Sequence, residues 1–182
     1  MASVIAEIDD KMKRFLQAQH LFFVATAASS LDGHVNVSPK GHDTFRIVGP
    51  KTVAYLDLTG SGVETIAHLR DNGRITFMFC AFEGPPRIVR LQGRGRVIEQ
   101  ADPEFPDWRK RFPEHDGVRS VIVVELDRLS DSCGYAVPLM SYSGERTQMQ
   151  AWLDHKGPDG IASYQASHNV SVDGLPGLSS LA

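Results

Sequence analysis

The chain carries only two cysteines, Cys80 and Cys133, far apart and without a CxxC spacing. That argues against a disulfide scaffold and against a cysteine-held zinc site. The seven histidines show no HExxH or related metal spacing. Basic residues are not in excess: the formal net charge is −3, so global charge gives no footprint for nucleic acid. No run approaches the roughly 18 apolar residues that would span a membrane. The opening MASVIAEIDDKMKRF has acids where a secretory leader needs basic residues, so the expectation is a soluble cytoplasmic protein. No internal repeat is visible. Hydrolase motifs are missing too: Gly60-Ser61-Gly62 is not a GxSxG elbow, and Gly93 to Arg96 lies inside a strand pattern and opens no helix. The alternation of strands and helices that a dinucleotide-binding domain requires is absent.

What is present is ordinary globular composition, 42% hydrophobic and 23% charged over 182 residues. That length suits one domain, 1–182, with a barrel core at about 21–130 and a C-terminal extension at about 131–182. Val4, Ile5, Ile8, Met12, Phe15 and Leu16 recur at helical spacing and predict an amphipathic opening helix. Leu21 to Ala28 and His34 to Pro39 read as a hairpin around Asp32-Gly33. Two short strands follow, broken at Gly49-Pro50. The period then changes. Val63, Ile66, Ala67 and Arg70 share one face of a helix that runs from Gly60 and stops at Gly73.

Arg74 to Phe82 is apolar at nearly every position, as for a strand buried on both faces. Arg87 to Glu99 reads as a long strand with a bend or bulge at Gly93 and Gly95. A short helix at 102–112, a buried strand at 120–129 and a helix from Gly144 to Gly157 complete the pattern, before a polar tail from Pro158, extended or pinned on a partner. The fold class is therefore mainly β, a small antiparallel barrel or sandwich with few helices.

The order of these elements resembles the pyridoxamine-phosphate-oxidase-like flavin-binding split-barrel family. The resemblance runs from about Leu21 to Glu99, through VSPKG (37–41), VAYLDLTGSGVET (53–65), HLRDNGRITFMF (68–79) and RIVRLQGRGRV (87–97). It implies a Greek-key split β-barrel with an N-terminal helix, one helix inserted between barrel strands and a C-terminal helical extension. It also implies a homodimer with flavin mononucleotide (FMN) in clefts between subunits, but not by itself a reaction; a small-molecule substrate belongs to the oxidoreductase reading. Lys40 matches the family's lysine, and Arg87 and Arg90 fall on its arginine-bearing strand.

An FMN phosphate is a dianion and needs oriented N–H groups, hydroxyls and a cation. Ser61, Gly62 and Thr65 at a helix start supply the first two. Lys40 with Arg87 or Arg90 would supply charge. Val37, Ser38 and Gly41 on one strand, and Tyr55 and Asp57 on the next, would line a slot for the ring. The residues alone allow simpler readings. Ser61-x-x-Glu64 is a capping box that needs no ligand, and Tyr55 suits core packing. Trp152 suits packing better than covering a flavin. His42 follows the VSPKG segment and His68 lies one turn after Glu64, but a surface or structural role is the simpler reading for each.

The sequence departs from the family in one place. Many members put a serine and two basic residues at the phosphate turn, whereas here Glu64 stands near it. Deazaflavin, haem or an empty barrel therefore remain alternatives to FMN. A flavin-dependent oxidoreductase is the leading reading, since flavin itself carries hydride chemistry and explains the lack of a catalytic triad. A non-enzymatic flavin-binding module is the second. Activity on pyridoxamine phosphate itself is not expected, because the terminal NVSVDGLPGLSSLA holds no arginine for the substrate phosphate.

Overall fold

The structure, a computed structural model, describes residues 3–181. Its strands are β1 (Ser3–Ile5), β2 (Phe22–Ala27), β3 (Val35–Lys40), β4 (Phe45–Gly49), β5 (Thr52–Leu58), β6 (Arg74–Cys80), β7 (Ile88–Glu99) and β8 (Val118–Ser132). The helices are α1 (Asp10–Gln17), α2 (Glu64–Asn72), α3 (Phe105–Arg109) and α4 (Gln148–Ser167). The strands form one antiparallel sheet in the order β3-β2-β6-β7-β8-β5-β4, with β1 attached to the far half of β8. β3 is the end strand on one side. It approaches β5 through side chains rather than a hydrogen-bonded ladder, and this is the split in the barrel.

Strand periodicity decides what fills the barrel. On β6, Ile75, Phe77 and Phe79 point inward and are buried, while Thr76 and Met78 alternate outward and are half-exposed. The expectation that this strand is covered on both faces is therefore met on one face only. Phe22, Phe45, Tyr55, Phe77 and Phe79 interlock at the centre, with ring centroids 4.9 Å apart for Phe45 and Phe79 and 5.8 Å for Tyr55 and Phe77. Truncating such a ring costs about 3–5 kcal/mol. A second cluster, Ala54, Leu56, Ile98, Val121 and Val123, packs under Phe112 and α3, so β5 and the first half of β8 are buried on both faces.

The bend expected in β7 is a bulge between Gln92 and Gly93. Glycine is required there, because a Cβ on Gly93 would sit 2.0 Å from the Glu125 carbonyl oxygen. Gly73 ends α2 in the left-handed region at φ 72°, as its position after the helical period predicts.

Three expectations are corrected. Val4 and Ile5 are not helical: they lie in β1, and α1 starts only at Asp10, where Asp9 accepts the Met12 N–H at 2.7 Å. That cap competes successfully with the apolar period upstream. The last long helix does not stop at Gly157. The chain turns there at φ 63°, Pro158 opens a second helical stretch, and this runs to Ser167. The tail then lies on its own barrel rather than trailing free. Leu178 is buried, Asn169 brackets it with two hydrogen bonds of 2.6 and 2.9 Å, and the Ser179 and Ser180 N–H groups donate to Glu99. Among the described residues no helix is long and apolar enough to cross a membrane.

Candidate functional site

β3, β5 and the start of α2 meet at the split. The inward positions of β3 are Asn36, Ser38 and Lys40, because these register with the inward residues of β2: Lys40 pairs with Phe22 and Ser38 with Val24. Across the split, β5 presents Tyr55 and Asp57, both almost fully buried. The turn from Thr59 to Val63 then leads into α2. One edge of the barrel thus carries a polar layer over an aromatic core.

Asp57 is the centre of that layer. The Arg119 side chain donates from Nε to its Oδ2 at 2.9 Å, and from Nη1 to the Gly62 carbonyl at 2.8 Å. Lys40 Nζ lies 3.7 Å from Asp57 Oδ1, and that oxygen has no hydrogen-bond partner among the described residues. The Tyr55 hydroxyl is also buried without a well-formed hydrogen bond, with Thr65 as its side-chain neighbour. Burial, reinforced by the Asp57 carboxylate, pushes the Tyr55 phenol well above its ordinary pKa despite the opposing pull of Arg119. Unsatisfied buried polar atoms are costly, so these two, with the lysine and arginine beside them, make the β3–β5 edge the polar end of the barrel.

A second run of contacts extends from Thr65. Asn36 Nδ2 donates to Thr65 Oγ1 at 3.1 Å and to Thr26 Oγ1 at 3.2 Å, and Ser38 donates to Asn36 Oδ1. Thr26 Oγ1 lies 3.0 Å from His68 Nδ1. His68 is fully buried, not on a solvent face: its other nitrogen has no hydrogen bond and lies 3.8 Å from Asp173 of the tail. Its role is the structural one, tying α2 to β2.

The capping box is overturned. The N-cap of α2 is Val63, and no side chain caps it. Ser61 is exposed and makes no hydrogen bond among the described residues, so the first-turn N–H groups keep their capacity for an anion. Glu64 does stand at the turn. Its carboxylate folds back over Gly62, where an added Cβ would lie 2.1 Å from Glu64 Oε2.

The remaining candidates separate. Val37 alternates outward on β3 and is exposed. Gly41 leaves the strand, and its carbonyl accepts from Thr44 Oγ1 at 2.7 Å. Arg90, flanked by the inward Val89 and Leu91, also faces outward, three strands from β3, with Ser132 Oγ at 3.3 Å. Arg87 is held by Asp131 at 2.7 Å and covers Phe15 at 4.5 Å. Neither arginine joins Lys40 within one chain, because β6 and β2 intervene. The cation that does join it is Arg119, which the sequence reading missed. Its signal was an arginine at the head of the apolar run SVIVVEL, opposite the end of the strand that carries Asp57. Trp152 packs edge-on to Tyr164 at 5.0 Å, within α4 itself.

The family profile described as pyridoxamine 5'-phosphate oxidase matches residues 8–133. The chain belongs to that family. Among its family relatives is the pyridoxamine 5'-phosphate oxidase family protein ustO of Aspergillus flavus, 39% identical over 95% of this chain and 76% of that protein. Solved structures share the fold at lower identity. HupZ of Group A Streptococcus aligns with a TM-score of 0.53 at 23% identity, over 67% of this chain and 91% of that one. A putative pyridoxamine 5'-phosphate oxidase of Lactobacillus delbrueckii aligns with a TM-score of 0.54 at 17% identity, over 68% and 93%. The barrel of this family member is thus a split barrel of the pyridoxamine-phosphate-oxidase type.

Proposed function

We propose that the protein binds FMN at the split between β3 and β5 and acts as a flavin-dependent oxidoreductase on a small molecule. The observation that carries this reading is the polar layer of Lys40, Asp57, Arg119 and Tyr55. It is buried, incompletely satisfied, and set beside an uncapped helix N-terminus. The free N–H groups at the start of α2, with Thr65 and Lys40, are the groups to hold a phosphate, while Arg119, held by Asp57 and the Gly62 carbonyl, adds positive charge behind them. Ser38, half-buried on the inward face of β3, is the group to meet the ribityl chain, and Tyr55 backs the slot from within the core. A bound flavin would supply hydride transfer, leaving the protein to position reactants and exclude water.

The second element of the proposal is a homodimer. The outward face of β3, β2 and β6 carries Val35 and Val37, 71% and 60% exposed, beside the half-exposed Phe23 and Met78. A contiguous apolar face of this kind favours a covering partner. A second copy would cover it with the same face, bringing its own Arg90 toward the paired cleft.

The test is a fluorescence titration of cofactor-free protein with FMN and with riboflavin. FMN should bind at least about tenfold more tightly, since only it carries the phosphate that Lys40 and the α2 N-terminus would meet. Equal affinity would remove the phosphate grip, and no quenching by either would remove the flavin.

A further inference from the structure

A separate cleft of about 740 Å³ opens on the other side of the loop that follows Lys40, between α1, residues 41–46 and the irregular segment around Tyr142. That volume suits a small organic ligand. Its floor is apolar: Phe22, Phe45 and Phe79, with Leu16 beneath α1. Its rim is polar and rich in nitrogen: Lys13, His20, His42 and His115. His20 stacks flat on Tyr142, with centroids 3.6 Å apart and planes 8° from parallel. His115 Nε2 is buried without a hydrogen-bond partner among the described residues.

The loop is shaped to hold this rim. His42 and Asp43 are consecutive non-glycine residues in the left-handed region, at φ 58° and 53°. Such a backbone is costly and persists only where its surroundings fix it. Here Thr44 ties back to Gly41, while Arg46 clamps the Asp43 carboxylate at 2.8 and 3.0 Å. The result places His42 Nδ1 3.5 Å from Glu145, whose other oxygen accepts from the Tyr142 hydroxyl.

We propose that this cleft binds a small aromatic carboxylate, its ring on the phenylalanine floor and its acid at the rim near Lys13, His20 and His42. The floor calls for a flat apolar body. Lys13, exposed on α1 at the rim, makes none of the ion pairs found among the described residues and is free to meet an anion. A phosphate is disfavoured, because Arg46, the residue best shaped to grip one, is already engaged by Asp43 and by the Arg111 carbonyl, and the Glu145 carboxylate beside His42 repels a dianion about twice as strongly as a monoanion. A metal ion is not the occupant, since no three His, Cys, Asp or Glu side chains are grouped to hold one among the described residues. Because His42 lies two residues beyond Lys40, the cleft adjoins the proposed flavin site. Its use as the substrate pocket rests on the flavin reading, whereas its ligand chemistry does not.

The test uses flavin-free full-length protein and two probes, benzoate and benzyl alcohol, followed by amide NMR and calorimetry. Benzoate should bind saturably at about 1 mM or tighter and move the signals of Gly41 to Arg46 and Tyr142. Benzyl alcohol should bind about tenfold more weakly. Lys13→Met, at an exposed position of α1, should weaken benzoate about tenfold and leave benzyl alcohol unchanged. Saturable shifts elsewhere, no shifts, equal affinity for the two probes, or an unaltered K13M protein would each overturn the proposal. Since no flavin is present, failure of flavin binding leaves the outcome readable.

Discussion

Replacing Glu64 by glutamine should tighten FMN binding, and the size of the effect follows from where its carboxylate lies. The Glu64 side chain is folded over Gly62, at the mouth of the uncapped α2 N-terminus where the phosphate would dock. At about 5 Å, two unit charges in water repel by about 0.8 kcal/mol, and physiological salt screens roughly half of that. A phosphate dianion doubles the effect, and the half-buried turn lowers the local dielectric. The expected gain is about 1–2 kcal/mol, or roughly 5- to 30-fold in Kd. Glutamine preserves the shape of the side chain, so the change isolates the charge. The assay is the quenching of FMN fluorescence, measured for both proteins at low and at high salt. The advantage of E64Q should shrink as salt rises, and riboflavin should show almost no difference between the two. An E64Q protein that binds FMN no better than the parent at low salt would refute the placement of the phosphate at this turn.

Arg119→Met should destabilise the fold by about 3–5 kcal/mol, read as a loss in thermal or denaturant stability, because it leaves the Asp57 carboxylate buried beside Lys40 alone. Adding Asp57→Asn should restore most of that loss. If it does not, the cost is packing rather than charge. Gly93→Ala should cost at least about 3 kcal/mol or abolish folding, since a methyl group would strike the Glu125 carbonyl across the bulge. A near-neutral alanine would mean that β7 and β8 pair differently. The tail should loosen in acid. Burial would raise the Glu99 pKa, but the Ser180 and Ser179 N–H groups and Arg70 outweigh it and hold the carboxyl below its usual value. With a depressed folded-state pKa, the contribution is full above the ordinary carboxylate range and is lost as pH falls through the folded-state value. Hydrogen exchange at Leu178 to Leu181 should therefore rise in acid earlier than exchange at β6, and Glu99→Gln should weaken the tail already at neutral pH.

The strands were legible because their burial alternates with period two. β2 and β6 place one inward residue after another under a dense aromatic core, and the two-residue pattern survives in the sequence. The α2 helix and its glycine stop were legible for the same reason at period 3.6. The bulge in β7 was visible as two glycines where a strand had no packing reason for them. The failures share a cause. Val4 and Ile5 continue the apolar spacing of α1, but pairing with β8 claims them, and only a partner strand at the far end of the barrel sequence, where Val4 meets Ser130, decides that. The helix after Pro158 has almost no apolar period, so nothing local announced it.

At the candidate site, Lys40, Tyr55, Asp57 and Thr65 do converge, whereas Arg87 and Arg90 do not join them within one chain. Strand parity alone puts Arg90 on the opposite face from the core. Choosing Arg119 needed the β5–β8 register, in which Asp57 faces Ser120, and that register is a tertiary fact. Arg119 and Glu64 illustrate the two limits. The first could not be chosen without the fold, although its place at the head of an apolar run was visible, while the second was visible as an acid but not in its placement over Gly62.

The central claim is flavin bound at the split of the barrel. It is tested most directly by the absorbance spectrum of the purified protein, loaded with excess FMN and then desalted. Retained bands near about 370 and 450 nm, at roughly one flavin per chain and lost in a Lys40→Met variant that still folds, are the expected result. A colourless protein after desalting, or equal retention by the K40M protein, would contradict the account.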